Sequence, residues 1–481
     1  MTLPAALAEY EYYRTDTGTL FHGNALDVLK AMLGGSVQCC VTSPPYWGLR
    51  DYGTAKWEGG DPECDHKNPA TGKATWGPGS TGSSTLNGKP SNDSHSLETF
   101  KGDICPKCGA TRIDAQLGIE KTPEEYVAKM VEIFREVRRV LRDDGTLWLN
   151  LGDSYASNWG MGAKRKSSWW SSGSGELEGK GWGDVETIIP PNSFKPGRSD
   201  GLKVKDLVGI PWRVAFALQA DGWYLRSDII WSKPTPMPES VKDRPTKSHE
   251  YIFLMSKSQK YFYDAEAIRE PLAESTLNDG RNNTGRHTQG EAQGSKYFDN
   301  PNVPQLCSWY RGKVFVNPES GRNKRSVWTV ATKPFPEAHF ATFPPKLIEP
   351  CILAGTSEKG CCPECGSPWE RVVEKEGSYK DCASFRPRES QSWTVGSGGM
   401  HCGHSGNMPT VKRNFNGWRP TCNHNLEPVP CTVLDPFMGA GTVALVAEKY
   451  GRAWVGIELN PEYCGMIVNR IEPERKQRKL F

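Results

Sequence analysis

The sequence has no long hydrophobic run. No stretch approaches the roughly eighteen consecutive apolar residues that a membrane-spanning helix requires. Residues 1–10 lack the basic start and the long apolar middle of a secretory signal. We therefore expect a cytoplasmic protein that makes no contact with a membrane.

The chain also has little net charge. Its formal charge of +3 over 481 residues is a weak argument for a nucleic-acid partner. Basic residues cluster locally at 164–166, 311–313 and 322–325, and each cluster is consistent either with a solvated loop or with contacts to phosphate. No internal repeat with a period of about 20–50 residues is present, so the sequence does not indicate a repeat architecture.

Cysteine, in contrast, is plentiful. The 15 cysteines of a chain expected in a reducing compartment indicate metal ligands before disulfides. The pattern Cys-Pro-x-Cys-Gly occurs at 105–109 and 362–366, and it points two thiolates at one ion. With a Cys-x-His pair added to each, the predicted zinc ligands are Cys64, His66, Cys105 and Cys108 in one site and Cys362, Cys365, Cys422 and His424 in the other. Cys402 and His404 are the alternative to Cys422 and His424 in the second site. Because four protein ligands leave no open coordination position, both ions are expected to be structural.

The length and the pattern of the chain indicate a layered α/β protein. At 481 residues it is too long for one ordinary core, so several folding units or large insertions are expected. Strand-like runs alternate with helical patterns, which favours a doubly wound, mostly parallel sheet. The predicted strands are 37–42, 146–151, 223–231, 250–256, 432–434 and 453–457. The predicted helices begin at 123, 211, 344 and 443, and residues 143–145 are predicted to end the first of them.

A glycine-rich turn follows the strand at 432–434 and precedes a helix. Gly439 and Gly441 let the backbone approach a ligand where a Cβ would clash. Glu458 follows the next strand, where an acid accepts hydrogen bonds from ribose hydroxyls. The turn lacks the third glycine of a pyrophosphate-binding loop, and S-adenosylmethionine (SAM) has no phosphate, so the pattern favours SAM over NAD. The predicted cofactor-binding residues here are Asp435, Pro436, Phe437, Gly439, Gly441, Thr442 and Glu458.

A second loop follows the strand at 37–42 and contains Ser43, Pro44, Pro45 and Tyr46. An exocyclic amine of cytosine or adenine is a poor nucleophile because its lone pair is delocalised into the ring. Two acceptors for its N–H bonds, the Ser43 hydroxyl and the Pro44 carbonyl, would help to direct the lone pair at a methyl donor. The prolines stiffen the loop, and Tyr46 offers a ring on which a flipped base stacks. These four residues are the predicted catalytic residues.

Residues 42–53, 435–442 and 456–458 resemble motifs IV, I and II of the amino-methyltransferase family of DNA modification enzymes. Residues 339–347 are similar to motif X of that family, which implies that Phe343 lies near the methionine end of the cofactor. Residues 229–234 and 248–251 resemble the stretches that form the late strands and the base pocket. Asn24 stands where relatives commonly carry aspartate.

The resemblance implies a Rossmann-like SAM-dependent methyltransferase fold. The catalytic motif precedes the SAM motif, which is the β-group order and implies a circularly permuted fold with a target-recognition region. The cysteine pattern adds zinc-binding insertions to this fold. The implied activity is site-specific methylation of an exocyclic nitrogen in double-stranded DNA after base flipping. Serine before Pro-Pro is more typical of N4-cytosine enzymes, and N6-adenine is the alternative. Methylation of RNA or of a protein glutamine, and a zinc-bearing DNA-binding protein without activity, are further alternatives.

The resemblance also implies cofactors and partners. These are SAM and double-stranded DNA in the cytoplasm of a prokaryotic or phage-infected cell, and the cysteine pattern adds two structural Zn²⁺ ions. A cognate restriction endonuclease is a candidate partner, and the chain is expected to be a monomer or a homodimer. The predicted parts are 1–52 (catalytic α/β part), 53–120 (zinc-binding insertion), 121–265 (catalytic α/β part with a mobile loop at 157–198), 266–334 (target-recognition region), 335–360 (motif X helix region), 361–427 (zinc-binding insertion) and 428–481 (SAM-binding α/β part).

Overall fold

The computed structural model describes residues 5–48, 56–66, 104–113, 116–156, 202–272, 321–333, 342–376 and 412–478. Several predicted features lie outside these residues. They are the loop at 157–198, most of the target-recognition region at 266–334, the pair Cys402 and His404, and the basic clusters at 164–166 and 311–313.

The strands of the described residues form one large sheet and two small ones. They are β1 (Glu11–Arg14), β2 (Gly18–His22), β3 (Val37–Thr42), β4 (Lys56–Glu58), β5 (Thr111–Ile113), β6 (Leu141–Leu151), β7 (Tyr224–Ser232), β8 (His249–Ser256), β9 (Val327–Thr329), β10 (Trp369–Glu376), β11 (Lys412–Pro420), β12 (Thr432–Asp435) and β13 (Ala453–Glu458). The large sheet has nine strands in the order β1-β2-β13-β12-β3-β6-β8-β7-β9. β10 pairs with β11, and β4 pairs with β5.

The middle of the large sheet is parallel, as predicted. The neighbours β2, β13, β12, β3 and β6 pair in parallel, whereas β8 is antiparallel to β6 and to β7. In this register Leu434 lies opposite Cys40, close to the ends of β12 and β3 and to the loops that follow them. The carboxyl ends of parallel strands meet at one edge of a sheet, where ligands collect in α/β folds. We refer to this edge as the carboxyl edge and to the opposite one as the amino edge.

Helices cover both faces of this sheet. They are α1 (Ala25–Ala31), α2 (Pro123–Val140), α3 (Ile210–Ala220), α4 (Pro345–Gly355), α5 (Thr442–Lys449) and α6 (Pro461–Arg478). One core cluster joins α1, α2 and α3 to the sheet around Phe21 and Phe253, and the other joins α4, α5 and α6 around Trp148 and Trp454. Burial of these apolar side chains is the main favourable contribution to folding. Of the helices in the described residues, none combines the length and the apolar character that crossing a membrane requires.

The start of α2 follows from the sequence, but its end does not. Thr122 Oγ1 accepts a hydrogen bond from Glu125 N at 3.1 Å, and Pro123 occupies the first turn. The predicted helix end at 143–145 is wrong, because α2 ends at Val140 and these residues lie within β6. Leu141, at the start of β6, is completely buried and pairs with β3. Strand pairing and burial of Leu141 therefore begin the strand before the turn-forming residues are reached.

Candidate active site

The two predicted loops lie side by side at the carboxyl edge. The catalytic loop (residues 43–48) follows β3, and the glycine loop (residues 435–442) follows β12. A hydrogen bond of 2.7 Å from Thr42 Oγ1 to Asp435 Oδ1 joins their bases, and the same oxygen accepts Phe437 N at 3.1 Å. Asp435 is only 1% exposed, and burial raises the pKa of its carboxyl to about 7. Through these two hydrogen bonds Asp435 fixes the start of both loops.

A cavity opens between these loops. Of the predicted site residues, those that line it are Ser43, Pro44, Pro45, Tyr46, Phe343, Pro436, Phe437, Gly439, Thr442 and Glu458. Gly441 does not line it: this residue is the N-cap of α5 with φ +71°, and a Cβ there would lie 3.0 Å from Ile467 Cγ2. The lining also includes Asn24, Gln116, Leu117, Asn460 and Tyr463, which the sequence did not predict as site residues. Asn24 caps α1, where its Oδ1 accepts Leu26 N at 2.9 Å.

Glu458 lies at the end of β13 on the glycine-loop side of the cavity. Its Oε2 accepts Gly439 N at 2.8 Å, and its Oε1 accepts Asn460 N at 2.9 Å. The residue is 9% exposed, and burial raises the pKa of its carboxyl to about 7. Each oxygen has a second lone pair, so Glu458 retains the capacity to accept hydrogen bonds from a diol in the cavity.

The catalytic loop is fixed by groups that follow Cys108 in the chain. Tyr126 Oη donates to Pro45 O at 3.0 Å, and Gly48 N donates to Gly118 O at 2.8 Å. Gly118 has φ +98°, and a Cβ there would lie 2.9 Å from the Tyr46 carbonyl oxygen. Only glycine therefore combines this backbone conformation with this close approach. The loop conformation depends on the segment at 116–126 as well as on the prolines.

Tyr46 connects the catalytic loop to the neighbouring strands. Its Oη donates to Glu250 Oε2 at 2.8 Å and lies 3.2 Å from Asn150 Oδ1. Glu250, at the start of β8, also forms an ion pair with Lys233, which follows β7. Burial and the negative charge of Glu250 raise the pKa of Tyr46 well above its usual range.

The sequence placed residues 248–251 near the base pocket but gave Glu250 no role, because its partner becomes visible only in the strand register. Asn150 and Lys233 were missed for the same reason. The pairing of β6 and β7 with β8 brings all three residues to the catalytic loop.

The first cluster consists of Cys64, His66, Cys105 and Cys108, and its ligand atoms lie within 4.8 Å of one another. Cys64 Sγ is 3.9 Å from Cys105 Sγ, and Cys108 Sγ is 3.6 Å from His66 Nδ1. A tetrahedral zinc ion with Zn–S of about 2.3 Å and Zn–N of about 2.0–2.1 Å separates two sulfurs by about 3.8 Å and sulfur from nitrogen by about 3.6 Å. The distances therefore fit zinc, and 3.9 Å is too long for a disulfide. Trp57 stacks on His66 with ring centroids 4.5 Å apart.

The second cluster consists of Cys362, Cys365, Cys422 and His424, whose ligand atoms also lie within 4.8 Å of one another. Cys362 Sγ is 3.4 Å from His424 Nδ1, close to the separation that tetrahedral zinc requires. The described residues thus place Cys422 and His424 with Cys362 and Cys365. Gly366 N donates to Cys362 O at 2.8 Å, and Gly366 has φ +68°, the conformation that closes the tight turn.

The sequence is similar to known methyltransferases over most of its length. A sequence model of the DNA methylase family (N6/N4 amino-methyltransferases) matches residues 37–362 and 431–469. Type II methyltransferase M.Cfr9I of Citrobacter freundii is 35% identical over 95% of this chain and 88% of its own length. Type II methyltransferase M.XycI of Xanthomonas campestris pv. cyanopsidis is 35% identical over 94% of this chain and 87% of its own length.

Among solved structures, PvuII DNA methyltransferase (cytosine-N4-specific) aligns with a TM-score of 0.45 and 13% identity, over 98% of this chain and 94% of its own. The family assignment rests on the sequence matches, which cover most of the chain. The chain belongs to the family of SAM-dependent DNA amino-methyltransferases.

Proposed function

We propose that the chain is a site-specific DNA methyltransferase that transfers the methyl group of SAM to N4 of cytosine in double-stranded DNA. The target base would leave the helix and enter the cavity at the carboxyl edge. The hydrogen bond between Thr42 and Asp435 carries this proposal, because it holds the catalytic loop and the glycine loop at one cavity. A methyl donor and an acceptor amine then occupy neighbouring walls.

Ser43 and Pro44 form the wall that would hold the amine. No hydrogen bond within the described residues occupies the Pro44 carbonyl, and the Ser43 hydroxyl has one long contact there, 3.4 Å to Tyr46 Oη. Both oxygens are thus available to accept the two N–H bonds of an amino group. Because Tyr126 holds the Pro45 carbonyl, these acceptors are positioned before the substrate arrives. Their direction would turn the nitrogen lone pair toward the methyl donor.

The opposite wall fits SAM. When bound, SAM supplies an electrophilic methyl group on a sulfonium sulfur. Glu458 would accept its ribose hydroxyls, Phe343 would contact its methionine end, and the glycine loop would pass close to it. Among the described residues that line the cavity there is no lysine, arginine or histidine, so this wall lacks the cation that a dinucleotide phosphate favours. This composition supports a phosphate-free cofactor.

We infer a circularly permuted fold of the β group. Thr42 and Asp435 lie 393 residues apart in the chain but are in direct contact. The strand that leads to the catalytic loop therefore comes early and the strand that leads to the glycine loop comes late, while β3 and β12 are neighbours in the sheet. A permutation of this kind leaves the crevice between the two loops unchanged.

The choice of substrate rests on Ser43 and on the relatives. Serine before Pro-Pro favours N4-cytosine, and N6-adenine remains the alternative because both amines need the same two acceptors. The relatives are Type II methyltransferases, which supports DNA over RNA or protein glutamine and makes a cognate restriction endonuclease a candidate partner. Localisation in the cytoplasm and a monomeric or homodimeric state stay predictions.

We further propose that each cysteine–histidine cluster binds a structural zinc ion. Three cysteines and one histidine in each cluster complete the tetrahedral set and leave no open position for a substrate. The described distances between the ligand atoms fit such an ion in both clusters.

Mass spectrometry of nucleosides tests the proposed function. Purified protein is incubated with SAM carrying a deuterated methyl group and with unmodified genomic DNA, and the DNA is then digested to nucleosides. We expect label in N4-methylcytosine. Label in N6-methyladenine would establish the alternative base, and the absence of label from the DNA would contradict a DNA methyltransferase.

A further inference from the structure

A chain of hydroxyl groups leads from the cavity to a carboxylate. Ser43 Oγ lies 3.4 Å from Tyr46 Oη, which donates to Glu250 Oε2 at 2.8 Å. We propose that these three groups form a proton relay, in which Glu250 receives the proton that the substrate amine loses. The relay rests on the proposed function, because it takes Ser43 as the group that holds the amine. It goes beyond that function by giving a role to Glu250, which lies outside the cavity behind Tyr46.

Methylation of an amine leaves one proton that must depart. As the nitrogen lone pair bonds to the methyl carbon, the carbon–sulfur bond breaks and its electron pair stays on sulfur. The nitrogen then carries a positive charge and gives a proton to Ser43 Oγ. At the same time the Ser43 proton moves to Tyr46 Oη, and the Tyr46 proton moves to the Glu250 carboxylate. Both hydroxyls end neutral and Glu250 ends as a carboxylic acid, so atoms and charge balance.

The described residues around the proposed position of the amine include no better acceptor for its proton. Among the residues that line the cavity in the described part of the chain, Glu458 is the only acid, and it lies on the glycine-loop side. Asp435 is occupied by Thr42 below the two loops. Asn150 Oδ1 lies 3.2 Å from Tyr46 Oη, but an amide oxygen is too weak a base to keep a proton. Glu250 is therefore the acceptor at the end of the chain of hydroxyls.

The fold holds the relay in this arrangement. Asn150 Nδ2 donates to Tyr251 O at 3.0 Å, which turns the Asn150 oxygen toward Tyr46. A Cβ at Gly152 would lie 2.5 Å from Tyr46 Cε2, so glycine at this position leaves room for the ring. The 3.4 Å contact between Ser43 and Tyr46 is long for a hydrogen bond between hydroxyls, and such contacts tighten when a substrate binds.

Two lysine side chains lie near Glu250. Lys233 forms an ion pair with its Oε1. Lys247, which precedes β8, has a buried Nζ without a hydrogen-bond partner in the described part of the chain, and Glu250 is among the charges that act on it. A protonated N-methyl amine of this kind is a much stronger acid than a carboxylic acid, so a carboxylate paired with lysine is still a sufficient acceptor.

The substitution Glu250→Gln separates proton transfer from positioning. Glutamine keeps an acceptor for the Tyr46 hydroxyl but cannot take up a proton under these conditions. We expect the single-turnover rate of methyl transfer to DNA to fall about 100-fold, with SAM affinity within about twofold of wild type. Tyr46→Phe, which keeps the ring for stacking, is expected to lose a similar factor. The matched control is Glu349→Gln, which removes a carboxylate of α4 that pairs with Lys449.

The solvent isotope effect is the second readout. In D₂O the wild-type rate should fall, with a dependence on deuterium content that indicates more than one proton in transfer, and Glu250→Gln should lose this effect. A full rate in Glu250→Gln or Tyr46→Phe, or an unchanged isotope effect, would overturn the relay. If wild-type protein methylates DNA in the same assay, that failure concerns the relay alone. Wild-type protein that methylates no DNA would instead refute the proposed function, and the relay with it.

Discussion

The two cysteine–histidine clusters have the same residue types but are connected to opposite edges of the large sheet. The first cluster is joined to the catalytic loop by a short path. Cys108 precedes β5 by three residues, and the segment after β5 contains Leu117, which lines the cavity, and Gly118, which holds the catalytic loop. Order in this cluster is therefore expected to be transmitted to Ser43 and Tyr46.

The second cluster lies at the amino edge, where the parallel strands begin. Gln38 Nε2, at the start of β3, donates to Gly366 O at 3.3 Å, and Gln38 Oε1 accepts Thr432 N at 2.7 Å. Arg142, at the start of β6, donates to the carbonyl of Cys365. One ligand set is thus expected to support two different tasks: we expect the first cluster to order the catalytic loop and the second to hold the starts of three strands together.

The largest expected effect is on stability, in the second cluster. Cys362→Ala removes a proposed zinc ligand next to the starts of β3, β6 and β12. We expect bound zinc to fall from two ions per chain to one, and the free energy of unfolding to fall by several kcal/mol, because binding of a structural zinc ion contributes directly to folding. Metal analysis and thermal unfolding measure both quantities. Glu370→Gln, which removes an exposed ion pair with Arg419, is the control, and an unchanged melting temperature in Cys362→Ala would contradict the assignment.

The corresponding change in the first cluster is expected to act mainly on rate. Cys105→Ala should also remove one zinc ion per chain, but it should lower the methyl-transfer rate about 10–100-fold, because a small misplacement of catalytic groups has effects of this size. The loss of stability should be smaller than in Cys362→Ala. Lys107→Gln, which removes an exposed ion pair with Asp65, is the control. Equal losses of stability in the two cysteine variants would contradict the proposal that the second cluster contributes more to stability than the first.

A glycine substitution tests the path from the first cluster to the catalytic loop. Gly118→Ala combines φ +98° with a Cβ only 2.9 Å from the Tyr46 carbonyl. Strain of ~1–3 kcal/mol is expected, which corresponds to a rate loss of about tenfold if it displaces the loop. Zinc content should not change. Gly35→Ala has φ +67° and meets no atom within 4 Å, so it carries the backbone strain without the contact and should leave the rate unchanged.

The smallest expected effect is a pH dependence that neither cluster should alter. Burial raises the pKa of Glu458 to about 7, and the ribose hydroxyls of SAM would donate to its ionised form. SAM affinity should therefore rise severalfold between pH 6 and pH 8, and Glu458→Gln should flatten the profile. Stability should move the other way: a raised pKa means that the folded state binds more protons than the unfolded state between about pH 4 and pH 7, so stability falls as pH rises through that window. Calorimetry that found the same pH profile in Glu458→Gln would contradict the assignment of Glu458 to SAM.

Much of the fold was predictable because local patterns carry it. The continuous apolar run of β3, the cap at Thr122 and the glycine loop before α5 are each legible within a few residues. β9 has only three residues, Val327–Thr329, and its assignment depends on pairing with β7. α6 was missed because Gly465 and Pro473 interrupt a weak apolar pattern. These elements are fixed by tertiary contacts that no local window contains.

The candidate site likewise has a part that local sequence patterns predict and a part that depends on tertiary contacts. The catalytic loop and the glycine loop follow strands and contain the residues that their proposed chemistry needs, so the sequence predicted both. Glu250, Asn150 and Gly118 contribute through contacts that span 204, 104 and 70 residues of chain, respectively, to Tyr46 or Gly48. Their roles depend on strand register and on a close backbone approach, which become visible only once the sheet is assembled.

The division of the cavity into an amine wall and a cofactor wall is tested most directly by measuring SAM binding and methyl transfer in Ser43→Ala. Because the catalytic loop is proposed to hold the amine and the glycine loop the cofactor, the variant should bind SAM within about twofold of wild type. Its single-turnover methyl transfer to DNA should fall about 100-fold, the loss typical of one preorganised hydrogen-bonding group. A collapse of SAM affinity in Ser43→Ala, or a full rate of transfer, would contradict this division between the two walls of the cavity.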